Sequence, residues 1–340
     1  MPAVDRAHTA PWITLGDPDA LSVTLSARGA SIVSVRTPDR HGHVDDIVLG
    51  LDDDAAYARH RSLFLGSTVG RVANRIGTAS FEIDGVRHVV TANEGANCLH
   101  GGGLEAFDAV VWSLGEVTST SVVFHHRSPD GAEGFPGIVE ATTTYRLDDS
   151  SLLIEWAATV DRATPLNLTN HVYWNLSGVS GESVLQHDLQ VHSLALVATD
   201  IEQIPTGELT AVEGTPYDWT TRRRLASSID LEHGPLHDGL DHHYVFADQR
   251  SPDDEVVSIW HEGSGRQVAL STNHDGAQIY TSNSIPTTTG RSGRTFGRHS
   301  AICVEPQSAP DAIHHPHLGN VIVQPGEAYH RWARFTFRFS

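Results

Sequence analysis

The sequence predicts an all-β fold, a large antiparallel β-sandwich with few short helices. Segments in which apolar and polar residues alternate recur at roughly 8 to 12 residues, and Gly, Pro, Asn and Asp residues separate them. No long amphipathic helix lies between these segments, whereas a parallel sheet would need such helices as crossovers. Composition does not change abruptly along the chain. A single domain spanning residues 1–340 is therefore expected, with residues 1–10 flexible.

Seven segments show the alternation that is typical of half-buried strands. In chain order they are 20–26, 31–36, 81–90, 139–147, 152–160, 256–261 and 334–339. Segment 81–90 should form a hairpin, because Asp84-Gly85 supplies the positive φ angles of a two-residue turn. A second hairpin turn is expected at Gly263-Ser264-Gly265. The best helical candidate is 53–60, whose acidic start favours a helix N-terminus, and the Gly- and Thr-rich segment 287–298 is a candidate flexible segment.

The charge balance excludes several classes of function. The chain has 42 acidic and 23 basic residues and a net charge of −19, which repels nucleic-acid backbones and anionic membranes. All the basic residues are Arg. The absence of Lys excludes Schiff-base catalysis and a P-loop lysine.

Cysteine usage and hydropathy indicate the compartment. Cys98 and Cys303 are the two cysteines and form no C-x-x-C motif, so neither a disulfide framework nor a thiolate zinc site is predicted. No apolar run approaches the ~20 residues of a membrane span, and the first twenty residues contain no signal-like apolar segment. A cytoplasmic protein without a membrane partner is expected.

Dinucleotide-binding, serine-hydrolase, zincin and P-loop motifs are missing, so chemistry must come from other polar residues. The segment GSTVGRVANRIG holds Arg71, Asn74 and Arg75. The planar fork of a buried Arg suits a pair of oxygen ligands, although a surface Arg at a strand end is an equal alternative. In NEGANCLHGGG, His100 precedes three glycines that allow a ligand to approach the backbone; a hydrogen-bonded loop histidine is the alternative.

Three further segments carry candidate proton carriers and ligands. His171 lies in PLNLTNHVYWNLSG among Asn side chains and beside Tyr173 and Trp174, a combination suited to a neutral polyol, unless the aromatic residues are simply core. Asp241 opens the segment DHHYVF. Glu305 ends the uncharged run AICV, and apolar surroundings raise the pKa of a carboxyl group, which favours acid/base work near neutrality.

The 22 histidines raise the question of a metal site. The adjacent pairs at 125–126 and 314–315 should point to opposite faces of a strand, and adjacent histidines of that kind rarely bind one ion. No metal and no cofactor are predicted.

Taken together, these segments resemble the aldose 1-epimerases, also called galactose mutarotases. The matching motifs, which run from about residue 66 to 339, are GRVANRIG, NEGANCLHGG, SPDGAEGFPGIVEATTTYRL, TPLNLTNHVYWNL, IPTGELTAVEGTPYDW, GLDHHYVF, EPQSAPDA and QPGEAY. The resemblance implies a galactose mutarotase-like supersandwich with an open sugar-binding cleft. It also implies an isomerase that interconverts the α and β anomers of free aldoses such as galactose or glucose.

The resemblance also assigns roles to residues. It implies that Glu305 is the catalytic base and that His171, initially protonated, is the catalytic acid. The residues that it implies for sugar binding are Arg71, Asn74, His100 and Asp241. The expected partner is a monosaccharide, and the expected assembly is a monomer or a homodimer.

Two other functions stay open at this point. Glu305 and Asp241 could form the carboxylate pair of a glycoside hydrolase. A sugar-binding module without catalysis could use the same cleft, although both proposed proton carriers are present in this sequence.

Overall fold

Two antiparallel sheets contain most of the strand residues in the computed structural model, which describes residues 10–340. The nine-stranded sheet contains, in spatial order, Ser113–Val117, Ser121–Ser128, Val139–Leu147, Ser151–Val160, Tyr329–Phe339, Arg266–Thr272, Val257–His261, Asp188–Val191 and Arg223–Arg224. The six-stranded sheet contains Tyr173–Trp174, Ile302–Gln307, Gly276–Tyr280, Asp241–Val245, Ala195–Thr199 and Pro205–Ala211. Neighbouring strands in both sheets run antiparallel.

Smaller elements complete the fold. A four-stranded sheet is formed by Trp12–Gly16, Ser22–Ser26, Ser31–Pro38 and Val44–Asp46. Five two-stranded ladders pair Thr164–Pro165 with Ile322–Val323, Thr169–Asn170 with Thr68–Val69, Thr288–Thr289 with Thr295–Phe296, Arg75–Ile76 with Cys98–Leu99, and Ser80–Ile83 with Val86–Val89. The α-helix is Asp54–Arg59, and the 3₁₀ turns are Arg61–Leu63, Gly77–Ala79, Ala132–Gly134, Val184–Gln186, Leu225–Ser227, Arg291–Gly293 and Pro316–Leu318.

The two large sheets pack face to face through aromatic side chains. Trp174 of the six-stranded sheet lies with its ring 5.1 Å from that of Phe335 and 5.9 Å from that of Phe337, both in the nine-stranded sheet. Trp156, on a neighbouring strand of the nine-stranded sheet, is also fully buried. Large aromatic side chains remove much apolar surface from water, so this contact layer holds the sandwich closed.

Most of the local predictions are confirmed. Each of the seven predicted segments contains a strand, and 81–90 forms the hairpin Ser80–Ile83 with Val86–Val89, turned by Asp84 and Gly85 at positive φ. Helix Asp54–Arg59 begins after Asp53, whose carboxylate accepts from the Ala56 amide, as an N-cap should.

The remaining expectations have mixed outcomes. Segment 287–298, the candidate flexible segment, contains a short hairpin. The expectation for residues 1–10 lies outside the described residues, except for Ala10, which is buried. The single domain stays a prediction. Within the described part of the chain, no helix is both long and apolar enough to cross a membrane.

Candidate functional site

A cavity of about 240 Å³ opens beside the middle strands of the six-stranded sheet and contains most of the polar residues singled out from the sequence. Antiparallel register places Glu305 opposite Gln278, and Gln278 opposite His243. Asp241 begins the third strand of this row and accepts a hydrogen bond of 2.7 Å from the Gln278 amide. Side chains two residues apart on a strand share a face, so Asp241 lies on the same face as His243. The register of the three strands therefore brings Glu305, Gln278 and Asp241 together on one side of the cavity.

His171 reaches the cavity from a loop between two very short strands. Its amide donates to the Ser67 carbonyl, and its carbonyl accepts from the Gly66 amide. These two bonds fix the backbone of the loop. The ring stacks on Tyr173 at 4.9 Å and lies 6.0 Å from the ring of Phe64, so aromatic contacts fix the imidazole plane.

His100 and Asn74 hold each other in place on the opposite wall. The His100 amide donates to the Asn74 carbonyl, and the Asn74 amide donates to Nδ1 of His100. Gly101, at φ 84°, allows the chain after His100 to pass close to Gly70, because a Cβ there would lie 2.0 Å from the Gly70 carbonyl oxygen. Since Nδ1 of His100 accepts, its ring proton is on Nε2 when the ring is neutral.

Arg71 lies outside the cavity, in contrast to the sequence-based expectation. Its guanidinium donates to the carbonyls of Pro136 and Pro129, each at 2.8 Å, and to the Ser128 hydroxyl, also at 2.8 Å. Arg71 is 3% exposed. The guanidinium N–H groups are bonded to the loops that hold Ser128, Pro129 and Pro136. They are therefore not available to a ligand in the cavity.

Arg75, four residues later, lines the cavity instead. Its guanidinium makes a bidentate ion pair with Glu94, with Nε–Oε2 and Nη2–Oε1 distances of 2.6 and 2.9 Å. A bidentate pair orients the fork firmly. Sequence reasoning named Arg75 only as a neighbour of Arg71, and it missed Gln278 and Tyr280, which also line the cavity.

Glu305 and His171 form a close pair of proton carriers in the cavity. His171 Nε2 lies 3.6 Å from Glu305 Oε1, and the two side chains are 6% and 2% exposed. The second carboxyl oxygen, Oε2, is buried and has no hydrogen-bond partner among the described residues. Glu305 can therefore accept a proton from a bound molecule.

Burial sets the electrostatics of this pair. It raises the pKa of Glu305 well above its ordinary value, the negative charge of Asp241 raises it further, and Arg75 opposes the shift. Burial lowers the pKa of His171 to about 4. Both shifts arise because a charged group loses hydration inside the protein, so burial favours the neutral form of each partner.

The cavity also contains one arrangement that sequence reasoning missed. Ligand atoms of His100, His171 and Glu305 lie within 4.8 Å of one another, a spacing that could suit a divalent cation. The His100 tautomer opposes this, because the cavity-facing Nε2 carries a proton when Nδ1 accepts from Asn74, and a metal ligand nitrogen must be unprotonated. The geometry therefore favours proton transfer over metal binding.

A larger hollow of about 610 Å³ lies elsewhere, near Trp12 and the 287–298 hairpin. Several of its charged side chains already form ion pairs. Arg291 pairs with Asp46, and Glu182 pairs with His261. The smaller cavity is the better candidate, because it holds a buried acid and base whose pKa values are displaced.

Comparisons with known proteins show the family to which the chain is similar. The family model described as aldose 1-epimerase matches residues 11–336. Galactose mutarotase of Bos taurus is 36% identical over 320 residues, which cover 94% of this chain and 92% of that protein. Aldose 1-epimerase of Escherichia coli is 31% identical over 329 residues, covering 96% and 94% of the two chains. The solved structure of an aldose epimerase homologue from C. elegans superposes with a TM-score of 0.90 at 30% identity, covering 97% of this chain and 99% of that one.

Proposed function

Since the chain belongs to the aldose 1-epimerase family, we propose that Glu305 and His171 interconvert the α and β anomers of a free aldose in this cavity. The enzyme is an isomerase acting on carbohydrates. The observation that carries the residue assignment is the pair itself, Nε2 of His171 within 3.6 Å of Glu305 Oε1. The hydroxyl O1 and the ring oxygen of an aldose are both bonded to C1, so two groups this close together can each reach one of them.

The proposed reaction opens and recloses the sugar ring. Glu305 removes the proton of O1 while His171 donates a proton to the ring oxygen, and the C1–ring oxygen bond breaks as the carbonyl forms. After rotation about C1–C2, the C5 hydroxyl returns its proton to His171, and Glu305 returns its proton to O1. Atoms and electrons balance without a redox or transfer step, so the reaction uses no cofactor.

The buried pair changes one part of the sequence-based mechanism. His171 was expected to start protonated, but burial lowers its pKa to about 4 and raises the pKa of Glu305, so when the pair holds one proton, that proton resides mainly on Glu305. The reactive arrangement, an ionised Glu305 and a protonated His171, has the same number of protons. Its fraction is therefore independent of pH while the pair holds one proton.

The same burial affects the step in which the ring opens. Ring opening converts the reactive ion pair into a neutral carboxylic acid and a neutral imidazole, and a poorly hydrated cavity favours that neutral pair. This gain equals the cost of first forming the ion pair from the neutral pair, so burial favours ring opening from the reactive arrangement only.

We assign sugar binding to the polar residues that line the same cavity. Asn74, His100 and Asp241, expected from the sequence, lie there, and Arg75 takes the place expected for Arg71. Neutral His100 presents an N–H donor, Asp241 presents carboxylate oxygens, and Arg75 presents the free edge of its guanidinium. A sugar hydroxyl both donates and accepts hydrogen bonds, so this mixture of donors and acceptors suits a neutral monosaccharide.

Two finer points belong to the same proposal. We place the enzyme in the cytoplasm, since Cys98 and Cys303 are both free thiols, as proteins of reducing compartments have. The assembly as a monomer or a homodimer stays a prediction.

Polarimetry of freshly dissolved α-galactose, α-glucose and L-arabinose tests the function. Faster mutarotation with enzyme than without it is expected for at least one sugar, and full activity should survive exhaustive chelation. Turnover of a chromogenic glycoside without anomer exchange would instead favour the glycoside hydrolase. Sugar binding without either activity would favour the non-catalytic module.

Arg71→Ala and Arg75→Ala form a matched pair that tests the revised binding assignment. Arg71→Ala should lower the free energy of unfolding by about 2–4 kcal/mol, because buried carbonyls lose their donors, and the KM of the folded fraction should stay near that of the wild type. Arg75→Ala should raise KM instead. Chemical denaturation and mutarotation kinetics on both variants distinguish the two roles, and a larger KM increase in Arg71→Ala than in Arg75→Ala would reject the assignment.

A further inference from the structure

Cys303 lies next to the ring of His171, the proposed catalytic acid. It stands two residues before Glu305 on strand Ile302–Gln307, so the two side chains share a face of the sheet,. Its register partners are Tyr173 on one side and Tyr280 on the other. The side chain is fully buried, and its Sγ lies 3.5 Å from Nδ1 of His171.

The surroundings of the His171 ring indicate whether Nδ1 or the Cys303 thiol is the donor in this contact. Nε2 of His171 faces Glu305 at 3.6 Å, so it is the ring nitrogen that exchanges protons in the proposed reaction. When Nε2 has given up its proton, the remaining proton of the neutral ring is on Nδ1. The Cys303 sulfur, 3.5 Å from Nδ1, is then the acceptor of this contact.

We propose that Cys303 is a positioning residue whose sulfur accepts from Nδ1–H of His171, keeping that proton on Nδ1 so that Nε2 alone exchanges protons with the sugar. This inference rests on the proposed function of His171. Nε2 is the nitrogen that faces Glu305 at 3.6 Å. With Nδ1 permanently protonated, Nε2 alternates between donor and acceptor as ring opening and reclosure require.

A thiol suits this position because it is neutral. Burial and the negative charges of Glu305 and Asp241 raise the pKa of Cys303 well above its ordinary value, so the group stays uncharged. A carboxylate at this position would stabilise the imidazolium and make His171 a weaker acid. The other titratable groups around the ring are His100, Tyr173 and Tyr280.

The test compares the two buried free cysteines of the chain. Cys303→Ala should lower kcat about 2- to 10-fold, as expected for one lost hydrogen bond, with little change in KM. Cys303→Ser should restore most of kcat, because a hydroxyl oxygen also accepts. Cys98→Ala is the matched control, since both cysteines are buried in apolar clusters but Cys303 is the one that contacts His171, and this variant should keep the kcat of the wild type.

Nitrogen-15 NMR provides a readout that a loss of packing would not produce. The spectrum of the wild type should show His171 as the Nδ1–H tautomer, its signals being assigned by their loss in His171→Asn. Cys303→Ala should shift the population toward Nε2–H and move the acid limb of the pH profile. Finding Nε2–H in the wild type would overturn the proposal, even where a variant does not fold.

Two kinetic results would also overturn it. One is equal loss of kcat in Cys98→Ala and Cys303→Ala, and the other is a Cys303→Ser variant as slow as Cys303→Ala. A wild type that exchanges no anomers would refute the proposed function of the site. The tautomer measurement would then still decide what Cys303 does to His171.

Discussion

Glu305→Gln is expected to lower kcat about 10²- to 10⁴-fold, the range typical of a positioned proton carrier. Glutamine keeps the shape and the hydrogen-bonding capacity of the side chain but cannot take the O1 proton. Because burial raises the pKa of Glu305 and so favours its neutral form, the uncharged replacement should leave the fold intact. Initial mutarotation rates, with circular dichroism as a control for folding, measure the effect.

Asp241→Asn is the informative comparison for this variant. Asp241 is another carboxylate that lines the cavity, and it is bonded to Gln278 rather than facing His171. It should affect KM more than kcat, because it is assigned to sugar binding. A folded Glu305→Gln protein with near wild-type turnover, or a larger kcat loss in Asp241→Asn, would refute the role given to Glu305.

The alternating pattern of the sequence predicted the strands well because packing a sandwich requires it. In Val139–Leu147, every second residue from Val139 on is buried, and the period of two was readable directly. The pairing of strands that lie far apart in the chain could not be predicted from the sequence. Gln278 enters the cavity because its strand lies between those of Glu305 and Asp241, and no local signal specifies that neighbourhood.

There is a local physical reason why Arg75, and not Arg71, lines the cavity. Both residues lie in one short segment, and both resemble a ligand-binding Arg when the sequence is read alone. Asn74 between them adopts a left-handed φ of 61°, so the chain turns and the alternation of a strand does not apply. Only the fold shows that one guanidinium faces loop carbonyls while the other faces the cavity.

The position of Cys303 could have been inferred from the sequence. Glu305 was predicted at the end of an apolar strand, and a residue two positions earlier on a strand points the same way. What the sequence lacks is the position of His171, whose loop approaches this strand from 132 residues away along the chain. Long-range contacts of this kind determine the tautomer and the pKa of the acid.

The pH dependence of kcat/KM is expected to be a broad bell. Its acid limb is assigned to His171 and its alkaline limb to Glu305, the reverse of the order expected for a base and an acid with ordinary pKa values. On the acid side, activity should rise as the doubly protonated pair loses a proton, mainly from His171, whose pKa burial lowers to about 4. On the alkaline side, it should fall as the last proton leaves, mainly from Glu305, whose pKa burial raises. Between the limbs the pair holds one proton, and the rate should be flat.

Variants of the two residues distinguish this assignment from its reverse. In Glu305→Gln only His171 titrates, so the residual rate should decline above about pH 4, where His171 loses its proton. His171→Asn should lose the acid limb and reduce kcat about 10²- to 10⁴-fold. Because the two groups act on the same proton transfers, the double variant should be little slower than either single one. Residual activity in Glu305→Gln that persists unchanged to the alkaline limb of the wild type would assign that limb to His171. It would also show that the imidazole, despite its burial, is the group that holds the shared proton.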